Sequence, residues 1–190
     1  MHSDSNCKSN YYEIISSEVE RIELILSELL IFAKPQSVKY NKKDIRILLS
    51  QVMTLLDSEA IMNNIQFATE FSPCITHINC AVNQLKQVFI NFIKNSIESM
   101  PNGGRITIEV KSEHESEMLI RLTDQGCGIP KEVLSRLGEP FYSTKEKGTG
   151  LGFMVSKKII ENHSGKISVH SEINKGTVIE IRLPIKYINA

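Results

Sequence analysis

The sequence predicts an α+β fold: a two-layer sandwich in which a mixed sheet carries helices on one face, preceded by one long helix. Three observations lead there. Five short stretches alternate apolar and polar side chains as half-buried strands do, NIQFATEF, ITIEV, MLIRLTD, KISVHS and TVIEIRL. Four others space their apolar residues by threes and fours, the period of a helix with one apolar stripe. With 190 residues, 41% of them hydrophobic and 23% charged, the chain is long and apolar enough to bury a core in one domain with an appendage.

In chain order, YEIISSEVERIELILSELLIFA comes first. Apolar or small residues stand at Tyr12, Ile15, Val19, Ile22, Leu26, Leu29 and Ala33, in alternating steps of three and four. That is a heptad seam, while Glu13, Glu18, Glu20, Arg21, Glu23 and Glu28 lie off it and Pro35 ends it. The seam suits a hairpin or bundle partner; the alternative is a surface helix folded onto its own domain. Residues 1–36 therefore read as a helical appendage and residues 37–190 as the main domain. Asp44 is placed to cap a helix whose apolar face is Ile45, Leu48, Leu49, Val52, Leu55 and Leu56. NIQFATEF follows as a strand closed by Pro73, then a helix over residues 83–100 ended by the turn PNGG. ITIEV and MLIRLTD come next, then a glycine-rich segment, a helix over residues 152–162, and the last two strands.

Composition excludes several classes. Lysine plus arginine equals aspartate plus glutamate, 22 each, so no bulk basic field steers the chain to nucleic acid or anionic lipid. No apolar run approaches the about 20 residues a membrane span needs, and MHSDSNCKSN has no signal-peptide core. A cytoplasmic protein is expected, with Cys7, Cys74, Cys80 and Cys127 as free thiols, because no C-x-x-C pair or histidine completes a metal-ligand spacing.

Four pieces carry chemistry. In QLKQVFINFIKNSIESM the residues Leu85, Val88, Phe89, Phe92, Ile93, Ile97 and Met100 share one face, and Asn91, Asn95 and Glu98 share another. Asparagine is a mediocre helix former, but its amide oxygen is a neutral hard ligand for Mg²⁺, which otherwise favours phosphate oxygens and water. In LTDQGCGIP, Asp124 leaves a strand end and Gly126 and Gly128 let the backbone turn sharply toward a flat ligand. A carboxylate there can accept a hydrogen bond from an exocyclic amine such as that of adenine. In GEPFYSTKEKGTGLG, neither a Walker loop nor a dinucleotide fingerprint fits. Its glycines Gly148, Gly150 and Gly152 run directly into a helix, where free N–H groups and the helix dipole suit phosphate. Ser143, Thr144, Lys145 and Lys147 add donors and charge, and a mobile lid over bound nucleotide is expected. The fourth piece is a turn, Lys175, Gly176 and Thr177, into the last strand.

In this order the pieces resemble the ATP-binding domain of bacterial sensor histidine kinases, within the superfamily that includes type II topoisomerases and mismatch-repair ATPases. INFIKNSIESM resembles the asparagine box, DQGCGIP the first glycine box, EPFYSTK the phenylalanine box and GTGLG the second glycine box. The resemblance covers residues from about Ser37 onward and implies the Bergerat sandwich, with ATP between the asparagine helix and a lid over residues 131–148. By position it implies Asn95 as Mg²⁺ ligand, Asn91 beside it facing the phosphates, and Asp124 as the adenine-reading carboxylate on the turn of Gly126 and Gly128. Lys145, next to Thr144, corresponds to the basic residue that approaches the γ-phosphate; with Asn91 it is the candidate catalytic pair. Gly148, Thr149, Gly150, Leu151 and Gly152 correspond to the hinge and phosphate turn, and Thr177 to a threonine near the adenine pocket. SEVERIELILSELLIFAKPQ resembles the second helix of the dimerisation and phosphotransfer hairpin, in the style of sporulation kinases, which implies a homodimer through residues 12–33.

One departure accompanies the match. The family's phosphoaccepting histidine sits on the first hairpin helix, upstream of everything in this sequence, and none of His2, His77, His114, His163 and His170 occupies such a position. Each reads as a surface or turn residue. The resemblance therefore implies ATP binding with Mg²⁺ and phosphoryl transfer to a histidine outside this chain, followed by a response regulator. The abrupt Met1-His2 start ahead of SDSNCKSN suggests a truncation. Alternatives are an anti-sigma-type serine/threonine kinase or an ATPase of the same superfamily, or a non-catalytic interaction module.

Overall fold

The structure is a computed structural model. It describes residues 39–72, 77–113, 116–145 and 148–185, together with residues 12, 15, 16, 18, 19, 22, 23, 25, 26 and 30. Leu29, Ala33, Pro35, Pro73, Lys147, Cys7, Cys74, His2 and His114 lie outside the described residues.

The order is β1 (Asn41–Asp44), α1 (Ile45–Met62), β2 (Ile65–Phe71), β3 (His77–Cys80), α2 (Val82–Glu98), β4 (Gly104–Glu113) and β5 (Glu117–Asp124). Then come α3 (Lys131–Leu134), α4 (Gly152–Asn162), β6 (Lys166–Glu172) and β7 (Gly176–Pro184). The five strands read from sequence make one sheet in the order β2-β4-β5-β7-β6. β2 and β4 run parallel because a helix-containing crossover joins them, and every other neighbour pair is antiparallel. The mixed α+β sandwich expected from the alternation is the observed fold.

Period-two alternation decides what each strand gives to the core. On β4, Ile106, Ile108 and Val110 are buried; on β5, Met118, Ile120 and Leu122; on β7, Ile179, Ile181 and Leu183. These meet Leu85, Val88, Phe89, Phe92 and Ile93 of α2 and Val155, Ile159 and Ile160 of α4 in one continuous cluster. The opposite sheet face carries charge in register. Arg121 on β5 pairs with Glu109 on β4 at 2.9 Å and with Glu180 on β7 at 2.7 Å, and Arg182 reaches Glu180 and Glu113. The Arg121 guanidinium, with Arg182 adding to it, holds the Glu180 carboxyl below its ordinary range.

Asp44 caps α1 as expected, its Oδ1 accepting from Arg46 N–H at 2.9 Å. Ile45, Leu48, Leu49, Val52, Leu56 and Ala60 are the buried face of α1. Leu55 departs from the expected face: it is 66% exposed. At about 100° per residue it points about 80° away from the centre of that face, beyond Leu48 at its margin.

The sequence reading missed β1 and β3, which pair antiparallel as a separate two-stranded sheet. At four residues each, NKKD and HINC are too short to show alternation. α3, also four residues long, was missed for the same reason. His163 corrects another expectation. It ends α4 but is buried, with Nδ1–H donating to Ile159 O at 2.7 Å and Nε2 accepting from Ala81 N–H at 3.0 Å. Tyr40 lies against its ring with centroids 5.1 Å apart. His77 and His170 are exposed. Cys80 and Cys127 are free thiols; burial pushes the Cys80 thiol up to about 11, whereas Cys127 is exposed. Among the described residues, no helix is long and apolar enough to cross a membrane.

Candidate functional site

β5 delivers Asp124 to the helix-facing side of the sheet, because it continues the parity of Met118, Ile120 and Leu122. The carboxylate is only 5% exposed. Its Oδ1 accepts from Gly126 N–H at 2.9 Å and Thr177 N–H at 3.0 Å, and its Oδ2 accepts from Ser96 Oγ at 3.0 Å. A buried carboxylate needs such donors to remain fixed, and Oδ2 keeps a lone pair beyond its single donor. Gly128 turns with φ +73°, and a side chain there would run into the Glu172 backbone. Gly126 leaves no room for a Cβ either, because Ser99 fills that space. Thr177 is buried beside this turn, its hydroxyl 2.9 Å from that of Ser171, which accepts from Ile129 N–H at 2.8 Å.

One helical turn away, α2 presents its asparagines. Asn91 Nδ2 donates to Ser156 Oγ of α4 at 3.0 Å, and Asn95 Nδ2 donates to Asn91 Oδ1 at 3.3 Å. Gly152 permits this: a Cβ in its place would lie 2.6 Å from Asn91 Oδ1. The first turn of α4 therefore rests on Asn91, and among the described residues no side chain caps that helix. Asn91 serves here as a tether between two helices, a use its sequence position did not reveal.

From the segment between α3 and α4, described over residues 135–145 and 148–151, Lys145 reaches this face. Lys145 Nζ donates to Asn95 Oδ1 at 2.6 Å and also contacts the Glu98 carboxylate. Thr144 is exposed next to it. Gly150, at φ +70°, lies against the backbone of Phe141 and Tyr142, and Gly148 against Ser143. Thr149 Oγ1 accepts from Leu151 N–H at 3.3 Å, and Leu151 itself is fully buried. Arg136 stacks over the Tyr142 ring at 3.8 Å while pairing with Glu139.

The sequence-predicted residues thus gather along α2 in two groups: Asp124, Gly126, Gly128 and Thr177 near Ser96, and Asn91, Asn95, Lys145 and the start of α4 beside them. Ser96, Ser156, Ser171 and the Lys145–Glu98 contact were not read as part of the site. Ser96 directly follows Asn95, and Ser156 is a polar residue within the apolar rhythm of α4, so each left a faint signal.

Known proteins share the sequence and the fold of this chain. The family described as histidine kinase-, DNA gyrase B-, and HSP90-like ATPase matches residues 80–187. Sporulation kinase E of Bacillus subtilis (strain 168) is 49% identical over 176 residues, which are 93% of this chain and 24% of that protein. The chain spans less than half the length of the sporulation kinases it matches. The catalytic domain of histidine kinase ThkA superposes with a TM-score of 0.69 at 27% identity, covering 77% of this chain and 95% of that one. Histidine kinase ThkA in complex with response regulator protein TrrA gives 0.77 at 27% identity, over 93% of this chain and 51% of that one. The chain belongs to the histidine kinase-, DNA gyrase B- and HSP90-like ATPase family, and residues 80–187 match the ATP-binding catalytic domain of its sensor histidine kinases.

Proposed function

We propose that this domain binds ATP with Mg²⁺ and presents the γ-phosphoryl group to a histidine that lies outside this chain, on the dimerisation and phosphotransfer hairpin. One observation carries the reading: consecutive residues of α2 touch both groups of site residues. Ser96 fixes the Asp124 carboxylate, and Asn95 meets Lys145. A base reader and a phosphate-end cation cluster are thereby set side by side along one rigid helix, with the uncapped start of α4 next to the cluster. Asp124 Oδ2 retains an acceptor for the exocyclic amine of adenine. The free N–H groups at the start of α4 suit phosphate oxygens.

The donor set fits Mg²⁺, because Asn95 Oδ1 already coordinates a positive charge, the Lys145 ammonium. Asn95 would hold the metal, which when bound neutralises charge on the phosphates. Phosphoryl transfer passes through a loose transition state, so positioning and charge stabilisation are the main demands on the protein. Lys145, with Thr144 beside it, is suited to the γ-phosphate, Asn91 to holding α4 in place, and Gly148 and Gly150 to hinging the lid.

Residues 1–36 are proposed as the second helix of a dimerisation and phosphotransfer hairpin, and residues 37–190 as the catalytic domain. Tyr12, Ile15, Val19, Ile22 and Leu26 are helical and exposed, as an unpaired seam would be. A response regulator is the proposed downstream partner; the ThkA–TrrA structure shows that pairing for a relative. The test is to incubate the chain with γ-labelled ATP, Mg²⁺ and a hairpin protein carrying the acceptor histidine. Acid-labile, alkali-stable label on the hairpin is expected. Label only as inorganic phosphate would make the chain an ATPase, and acid-stable label would make it a serine/threonine kinase.

A further inference from the structure

Glu98 is the one charged side chain on the asparagine face of α2 to which the nucleotide reading gives no role. It follows Asn95 by three residues, so the two side chains are neighbours on the helix surface. A single ammonium, that of Lys145, sits against both: 2.6 Å from the neutral amide oxygen of Asn95 and in contact with the Glu98 carboxylate. The lysine comes from the lid, fifty positions from Asn95 in sequence. Lys145 and Glu98 are about half exposed, so ions in solution reach them. An amide oxygen and a carboxylate oxygen that converge on one positive charge form a cation site.

Two physical arguments say what that site is for. Mg²⁺ is commonly bound by one or two carboxylates together with phosphate oxygens and water, and Asn95 alone brings no charge to it. A carboxylate near a polyphosphate is also repelled unless a cation lies between them. Once Lys145 moves to the γ-phosphate, Glu98 needs a replacement cation. We propose that Glu98 is the second protein oxygen facing the metal of this site, and that Lys145 and Mg²⁺ exchange there. Lys145 bridges Asn95 and Glu98 with the lid drawn down, and leaves both oxygens for the phosphates as the metal takes its place. The proposal rests on the nucleotide reading above. An ordinary exposed ion pair would contribute little to stability and nothing to metal linkage.

Calorimetric titration of the wild-type chain, Glu98→Gln and Lys145→Met with ADP and with a non-hydrolysable ATP analogue, in EDTA and in Mg²⁺, tests this. The quantity read is the ratio of metal-free to Mg²⁺ dissociation constants. In Glu98→Gln that ratio should fall about tenfold, the scale on which residues supporting a metal site act, with metal-free affinity equal or tighter because a repulsive charge is gone. In Lys145→Met the ratio for ADP should rise, because the competitor for the two oxygens is removed. A ratio in Glu98→Gln within twofold of wild type, or a lower ADP ratio in Lys145→Met, overturns the exchange. Absence of saturable binding by the wild-type chain would instead defeat the nucleotide reading and this proposal with it.

Discussion

Asp124 is the residue proposed to read the base at this site. Replacing it with asparagine keeps an oxygen for the Gly126 and Thr177 N–H groups but sets an N–H₂ where Oδ2 stood; Ser96 can rotate to accept from it. Stability should fall by only about 1–2 kcal/mol, whereas an adenine amine would meet a donor, lowering affinity about tenfold or more. Thermal unfolding and calorimetry on Asp124→Asn read the two effects separately; equal affinity would remove Asp124 from the base-reading role. His163 supplies the pH dependence. Burial pushes its imidazole below the ordinary range, and Nε2 must stay unprotonated to accept from Ala81 N–H. Below about pH 6.5 the unfolded chain takes up a proton that the native chain resists, so native stability is full above that pH and falls as pH drops toward the depressed native value. Gln at 163 still offers an acceptor but does not titrate, so the loss of Tm from about pH 7.5 to 5.5 should be smaller in His163→Gln than in wild type. An unchanged loss would place the pH response elsewhere. Asn91, Asn95 and Asp124 were legible in sequence because their types suit neither a plain helix face nor a plain strand end. Ser96 and Ser156 were not, because a hydroxyl's importance depends on a partner brought close only by folding.

At the scale of elements, the glycine turns divide into those that hold the sheet and those that hold the proposed lid. Gly176, at φ +95°, lies against the carbonyl of Asp124, so a methyl group there forces β7 away from the end of β5. Gly176→Ala should lose about 1–3 kcal/mol from backbone strain alone. Gly150, at φ +70°, faces the backbone of Phe141, with the position of a Cβ 2.5 Å from its carbonyl carbon. Gly150→Ala should displace the proposed lid, weakening nucleotide binding while lowering the Tm less than Gly176→Ala, because its strain can be relieved by moving an exposed loop rather than a sheet strand. Denaturation and nucleotide titration of both variants check this, and a loss of Tm in Gly150→Ala as large as that in Gly176→Ala would contradict the division. Long elements with clear periods were legible: α2, α4 and the five strands of the main sheet fall within a few residues of their expected places. The β1–β3 pair was not, because its pairing is a tertiary fact between two four-residue segments. Leu55 shows the limit of reading a helix face from spacing, since a margin position satisfies the pattern without being buried.

For the whole molecule, one buried cluster joins α1, α2 and α4 to the sheet, while the exposed stripe of Tyr12, Ile15, Val19, Ile22, Leu26 and Leu30 belongs to the amino-terminal helical residues. Such a stripe should draw copies together: sedimentation should show an average mass that rises with concentration, and Ile22→Asp with Leu26→Asp should hold the chain monomeric without lowering nucleotide affinity. A wild-type mass independent of concentration at the monomer value would count against the seam. The architecture as a whole was readable because the motifs occur in order along elements whose periods are unambiguous; the state of the lid was not, because it rests on Lys145 finding Asn95 across the fold. The most direct measurement is calorimetric titration of the wild-type chain and Asn95→Ala with a non-hydrolysable ATP analogue, with and without Mg²⁺. Saturable binding that Mg²⁺ tightens in wild type, with the tightening lost in a folded Asn95→Ala, is the expected result. No saturable binding by wild type in either condition, or the same Mg²⁺ dependence in Asn95→Ala, would contradict it.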